Sequence, residues 1–293
     1  MSLSAIWDVP APAKLNLFLH VTGRRPDGYH LLQSVVVLID WYDTLHFERR
    51  GDALLRRHDL GPVLPADDLI LLAARALQAA SDTGFGAEIS VNKQLPWAAG
   101  LGGGSSDAAS TLLALNRLWG LRWPRQRLLP IALALGADVP FFVGGQNALV
   151  EGIGERLTPL ALPRQWLAVV KPAPAIATAA VFGHRAVARH TGTDILVNFP
   201  ADTQLTQQIV DGFGSNVLQT AAEDLCPEVI QVAEWLKARY GNSRMSGSGS
   251  AVFARAGTGE QPVATGGADD VAPGWVTRMC RSLERHPLLG WAG

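Results

Sequence analysis

A chain of 293 residues is longer than one hydrophobic core usually serves, so two domains are expected. Its 48% apolar and 17% charged residues supply material for packed cores and exclude an intrinsically disordered chain. A net charge of -1 excludes a global positive field for holding nucleic acid or an anionic membrane, so any anion must be bound locally.

Cys226 and Cys280, the only cysteines, cannot form a disulfide framework, and no Cys/His spacing matches a zinc site. Met1 to Lys14 lacks the basic and apolar regions of a signal peptide, and no window approaches ~18 uninterrupted apolar residues. A cytoplasmic protein without membrane association is expected.

From Lys14 to Val21 the sequence alternates, with Leu15, Leu17, Leu19 and Val21 on one face and Lys14, Asn16, Phe18 and His20 on the other. That pattern predicts a half-buried strand. Pro26, Asp27 and Gly28 are turn chemistry, and Ser34 to Ile39 predicts the next strand. Asp67 and Asp68 stand ahead of Leu69 to Ala80, which predicts a helix with acidic residues at its positive end.

Ala87, Ile89 and Val91 mark a strand, and Ala108, Leu112, Leu115 and Trp119 recur at helical spacing, with a glycine run between. Arg125 to Leu135 predicts a helix closed by Gly136 in a left-handed conformation, which leaves Asp138 in a loop. Pro159 and Pro163 break the chain before a strand at Trp166 to Val170, and the domains are expected at 1–160 and 161–293. Pro227 to Tyr240 predicts a helix ended by Gly241, and Ala251 to Ala254 a short strand. Gly257 to Gly274, without apolar periodicity, predicts a long mobile loop or insertion.

Gly100, Gly102, Gly103 and Gly104, followed by Ser105 and Ser106, join a strand to a helix. Successive N–H groups in such a loop can converge on a phosphate, the helix dipole adds attraction, and the serine hydroxyls can reach phosphate oxygens or magnesium. A Cβ at Gly103 would obstruct that approach and penalise the positive φ expected there. No Gly-Lys pair occurs, so the loop is not a Walker A motif, and Ser105 stands where a dinucleotide fingerprint needs glycine.

Lys14 and Asn16 share one strand face and can point into one cleft, although a lysine there is usually only solvated. Asp138, within Gly136-Ala137-Asp138-Val139-Pro140, is flanked by apolar residues that would partly desolvate it; it needs a cation or donors, or else it caps backbone N–H groups. Gly247 to Ser250 forms a second polar glycine loop, and two such loops suggest a cleft between domains.

Pro12 to Leu17, Leu95 to Ala109 and Ser246 to Ser250 resemble, in order, the three signatures of the GHMP kinases. The resemblance implies an α+β chain with a ribosomal-protein-like N-terminal domain and a ferredoxin-like C-terminal domain. It implies ATP and Mg2+ as cofactors, with Lys93, Pro96, Gly100, Leu101, Gly102, Gly103, Gly104, Ser105 and Ser106 at the nucleotide. It further implies Asp138 as the base that takes the hydroxyl proton and Lys14 as the cation that stabilises the transferring phosphoryl. Phosphoryl transfer is mostly positioning and electrostatics, so this set of groups suffices.

Arg25 to His30, Gly136 to Pro140 and His286-Pro287-Leu288 are similar to members of the family whose small-molecule substrate carries a cytidine diphosphate. That similarity implies Tyr29 and Phe182 stacking on cytosine, His30 reading its edge, and Asn16, Thr178, Ser248 and Gly249 contacting the substrate. Ala98 stands where the family usually has glycine. Other members acting on a sugar, homoserine or mevalonate, a non-catalytic sensor on the same fold, and an RNA-binding module are the alternatives; the retained Lys14 and Asp138 argue against the sensor and the net charge against RNA. Magnesium ligands and oligomeric state stay open.

Overall fold

The structure, a computed structural model, describes residues 3–187, 203–263 and 271–292. The first half contains β1 (Ala5–Arg24), β2 (His30–Arg50), β3 (Leu55–Asp59), α1 (Leu69–Ser81), β4 (Gly86–Asn92), α2 (Gly103–Leu118), α3 (Arg125–Leu135), α4 (Val139–Gly144), β5 (Ala148–Gly152) and β6 (Arg156–Pro159). The second contains β7 (Trp166–Lys171), α5 (Thr178–Phe182), α6 (Thr203–Asp211), α7 (Gln219–Leu225), α8 (Glu228–Tyr240), β8 (Arg244–Met245), β9 (Val252–Arg255) and β10 (Val276–Arg281). The chain is α+β, as expected.

Among the described residues the strands form two sheets. The first runs β3-β4-β2-β5-β6 with β1 added on β2, and the second runs β10-β7-β9-β8. All pairings are antiparallel except β3 with β4. Helices α1 to α4 cover one face of the first sheet in a core that includes Leu38, Phe47, Ile89, Leu112 and Phe142. The opposite face shares a core with the second sheet, where Leu15, Val37 and Leu149 meet Leu167, Val169 and Phe253.

That shared core corrects the reading of β1. Lys14 to Val21 is buried on both faces, because a second sheet covers the side that the alternation left to water. The alternation also breaks: Asn16 pairs with Val36 and Phe18 with Val35, so Leu17 is the extra residue of a bulge. Leu15, Leu17 and Phe18 therefore enter one core, and Leu19 and Val21 enter another.

Helix α1 begins where its sequence signal places it, with the Asp68 carboxylate accepting from Leu71 N–H at 3.2 Å. Helix α2 is buried on nearly every side from Ser106 to Leu118, which accounts for its small and apolar residues all round. Helix α3 has the expected bounds, but Gly136 has φ 163°, an extended rather than left-handed conformation. Gly241 does close α8 in the left-handed region, at φ 72°.

After β10 the chain returns to the first sheet. Leu283 N–H donates to Leu38 O and His286 N–H to Gly145 O, both at 2.8 Å, and Leu288 joins the first core. Within Gly257 to Gly274, residues 264–270 lie outside the described residues; Val263 N–H donates to Ala256 O. Among the described residues no helix is long and apolar enough to cross a membrane.

Candidate active site

The glycine loop between β4 and α2 docks on the second glycine loop, between β8 and β9. Ser250 and Ala251 N–H groups donate to Ala98 O and Ala99 O, and Ser246 Oγ donates to Gly100 O at 3.0 Å. The contact is so close that a Cβ on Gly100 would lie 2.1 Å from Ser246 O, and Gly100 has φ +73°. Gly102, at φ +72°, is equally constrained, since its Cβ would lie 2.9 Å from the Phe142 ring and 3.1 Å from Lys14 Cγ. Gly103 departs from expectation: it is the first residue of α2 and does not take a positive φ.

Ala98 sits at φ 47°, in the left-handed region. A side chain there costs about 1–2 kcal/mol, a strain that glycine would not carry. Ser105 faces the cavity beside the loop, whereas Ser106 does not. One helical step turns Ser106 into the core, where its N–H donates to Gly102 O and its buried Oγ has no partner among the described residues. Ser106 is therefore not a phosphate-facing group.

The cavity, about 930 Å³, is lined by Leu64, Trp97 and the glycine loop, by Lys14 and Asp138, and by Tyr29 and Phe182. Within it, Lys14 Nζ lies 3.6 Å from Asp138 Oδ2. The lysine side chain is 5% exposed and the carboxylate 52%. Asp138 is thus open to solvent rather than desolvated, and although it precedes α4 its side chain makes no capping hydrogen bond. Lys14 is oriented by a relay: its ammonium donates to Asn16 Oδ1 at 2.6 Å, Asn16 Nδ2 to Ser34 Oγ at 2.8 Å, and Ser34 Oγ to Phe18 O.

Also on its wall, the His30 and Phe182 rings pack with centroids 5.3 Å apart and planes tilted by 31°, while Tyr29 is exposed. The close aromatic pair is therefore His30 with Phe182. Burial, and then the Arg24 guanidinium, lower the His30 pKa from its ordinary value. A neutral imidazole offers one donor and one acceptor. Thr178 and Ser248 hydroxyls are 2.8 Å apart across the cavity wall, which also includes Gly249.

A glycine-rich loop at a helix start, a cation beside a solvated carboxylate and an aromatic recess share one cavity, an arrangement chemically suited to phosphoryl transfer to a small molecule. The comparisons agree. Residues 68–146 match the GHMP kinases N terminal domain and residues 201–264 the GHMP kinases C terminal. A relative from Methylibium petroleiphilum, 4-diphosphocytidyl-2-C-methyl-D-erythritol kinase, is 63% identical over 294 residues, covering 100% of both chains. The protein of that name from Polaromonas naphthalenivorans is 52% identical, covering 99% of this chain and 97% of its own. A crystal structure of 4-(cytidine 5'-diphospho)-2C-methyl-D-erythritol kinase has a TM-score of 0.71 at 38% identity, covering 86% of this chain and 89% of that one.

The chain belongs to the GHMP kinase family. It is accordingly a small-molecule phosphotransferase that uses ATP.

In this GHMP kinase the sequence-predicted residues gather in one place with two qualifications. Ser106 is turned inward, and Lys93, though it lines the cavity, is already held by Asp43 and by Asp107 Oδ2 at 2.5 Å. Burial opposes the charge on Lys93, but the two carboxylates outweigh it and hold its pKa above the ordinary value. Burial pushes the Asp107 carboxyl up, against the pull of Lys93.

Four residues that brace these groups were not singled out individually in the sequence, although Asp107 and Ser246 lie within its motifs. Asp43 and Asp107 hold Lys93, Ser246 joins the two glycine loops, and Asn216 donates to Met245 O and Gly247 O at 2.8 Å, fixing the second loop. A carboxylate inside Trp41-Tyr42-Asp43-Thr44-Leu45 was a usable signal, since a charge within a strand requires a partner. Asn216 carried none, because its partners lie about thirty residues away.

Proposed function

We propose that this chain transfers the γ-phosphate of ATP to the 2-hydroxyl of 4-diphosphocytidyl-2-C-methyl-D-erythritol (cytidine diphosphate methylerythritol), a step in non-mevalonate (MEP) isoprenoid precursor biosynthesis. The observation that carries this reading is the Lys14–Asp138 pair at 3.6 Å, between a glycine-loop cradle and an aromatic recess. The site lies between residues 1–160 and 161–293, which we take as the two domains, with the last residues folding back on the first.

In this reading Asp138 accepts the proton of the substrate hydroxyl as its oxygen bonds to the γ-phosphorus and the bond to the ADP oxygen breaks. Lys14, oriented by Asn16, stabilises charge on the transferring group. The N–H groups at the start of α2 hold the phosphates in the field of a 16-residue helix. Among the described residues no cluster of three His, Cys, Asp or Glu can hold a metal; a magnesium ion would be held chiefly with the ATP phosphates, and the Ser105 hydroxyl, which lines the cavity, would be the candidate protein ligand. Magnesium supplies charge neutralisation.

At the recess Phe182 and Tyr29 offer stacking surfaces, and Thr178, Ser248 and Gly249 line the path of the rest of the substrate. Stacking accepts any base, so selection falls to hydrogen bonds. Groups arranged around His30 to meet the amino donor and ring-nitrogen acceptor of cytosine would face mismatched partners on uracil, which inverts both. Buried groups left unpaired cost about 1–3 kcal/mol each, so two mismatches give roughly 100-fold discrimination or more.

The test is incubation with Mg-ATP and the cytidine substrate, its uridine analogue or mevalonate, with ADP release followed and the product located by phosphorus NMR. Comparable kcat/KM for the cytidine and uridine compounds, or phosphate on mevalonate, would remove the substrate assignment and leave the kinase.

A further inference from the structure

Beneath the phosphate loop lies a chain of charges that the proposed chemistry does not use. Asp43, on β2, is fully buried. Its Oδ1 accepts from Gln94 N–H at 2.5 Å and Leu95 N–H at 2.8 Å, and its Oδ2 accepts from Lys93 Nζ. Lys93 then donates to Asp107 Oδ2 at 2.5 Å, just past the first turn of α2. Gln94 and Leu95 begin the stretch that becomes the glycine loop, and α2 is the helix that leaves it. One carboxylate–ammonium–carboxylate chain thus joins β2 to both ends of the loop.

We propose that Asp43 is a positioning residue for nucleotide binding, fixing the phosphate loop from below through Gln94, Leu95 and Lys93 without touching the nucleotide. The inference rests on the glycine loop being the ATP site. A buried carboxylate persists only when donors saturate it, and Asp43 has three. An isosteric asparagine cannot serve them all. With its carbonyl toward the two backbone N–H groups its amide faces the Lys93 ammonium, donor against donor; turned round, it abandons the backbone.

Either arrangement releases one anchor of the loop, and N–H groups that meet a phosphate at hydrogen-bond distance tolerate little displacement. Asp107 makes the arrangement a unit, since neutralising Lys93 strands Asp43 and Asp107 together.

The test compares wild type, Asp43→Asn, Lys93→Met and the double variant by calorimetry with Mg-ATP, by steady-state kinetics in both substrates, and by thermal unfolding. Each single variant is expected to raise the Kd and KM for ATP by about 10- to 100-fold, because loop misplacement near 1 Å has effects of that size. The KM of the alcohol substrate should stay within about twofold, and the double variant should be no worse than the poorer single one, as expected of residues acting as a unit. A folded variant with unchanged ATP affinity, equal shifts in both KM values, or multiplying effects in the double variant would overturn the proposal. If Asp43→Asn fails to fold, Lys93→Met decides by the same criteria. Wild-type protein that does not bind ATP would instead remove the ATP-site reading itself.

Discussion

Two adjacent glycines in the phosphate loop should respond very differently to alanine. At Gly102 the backbone is left-handed, φ +72°, and a methyl group would come within 2.9 Å of Phe142 and 3.1 Å of Lys14 Cγ. Left-handed strain and overpacking together cost roughly 2–4 kcal/mol. For a chain of this size that corresponds to a fall in Tm of about 5–15 °C. Pressure on Lys14 also shifts the ammonium that faces Asp138, so turnover should fall by about 10- to 100-fold in the protein that remains folded. At Gly103 the backbone is already helical, and the methyl group would meet the flexible Leu95 side chain at 3.3 Å. Alanine there gains about 0.5–1 kcal/mol of helix preference, which offsets the tight contact and leaves Tm nearly unchanged. Thermal unfolding and an ADP-coupled assay on both variants decide it. Equal effects, or a larger one at Gly103, would refute the assignment of Gly102 as the constrained position.

Asp138→Asn and Lys14→Met should each fold normally and lose at least ~100-fold in turnover with ATP saturating, measured by ADP release; near-normal turnover in either removes that residue from the mechanism. His286 is buried beside Arg125, its Nδ1 accepts from Leu288 N–H at 3.0 Å, and burial first and Arg125 second push its pKa down to about 3. The unfolded chain therefore binds a proton that the native chain refuses, and stability falls as pH drops below 6.5 toward 3, by about 1.4 kcal/mol per pH unit. Urea unfolding at stepped pH should show this slope reduced in His286→Asn, which keeps an acceptor for Leu288; an unchanged slope assigns it to other groups.

Local signals were readable wherever a short stretch settles its own structure. Asp68 ahead of Leu69 marked the start of α1, Gly241 marked the end of α8, and the glycine run marked the junction of β4 with α2, because caps and turns depend on residues a few positions apart. What covers a strand is not local. Alternation in β1 correctly placed Lys14 and Asn16 together, yet the second sheet that buries the other residues comes from beyond Trp166, and the bulge at Leu17 left no compositional mark. Gly136 has the composition of a helix terminator without its conformation. The expected site residues on recognisable motifs share one cavity, apart from the inward-turned Ser106, while Asp43, Asp107, Ser246 and Asn216 bond to partners more distant in sequence.

The carboxylates of the site divide by burial in a way that matches what each can do. Asp43 has both oxygens committed to donors and is sealed from water, so it can hold a loop but is out of reach of a substrate hydroxyl. Asp138 makes no capping hydrogen bond, is half exposed, and stands 3.6 Å from Lys14, an ion-pair distance beyond the range of an N–H···O hydrogen bond. Its oxygens are open to a hydroxyl, and solvent can carry away the proton after transfer. Lys14 is the reverse case: its side chain is buried and its position is set by Asn16, so in the proposed mechanism its charge stays fixed where negative charge develops. A rigid cation beside an accessible carboxylate is the pairing phosphoryl transfer to an alcohol requires, since the charge must not relax away and the proton must leave. Charge type alone, as read from the sequence, cannot separate these two aspartates. Their solvent access does.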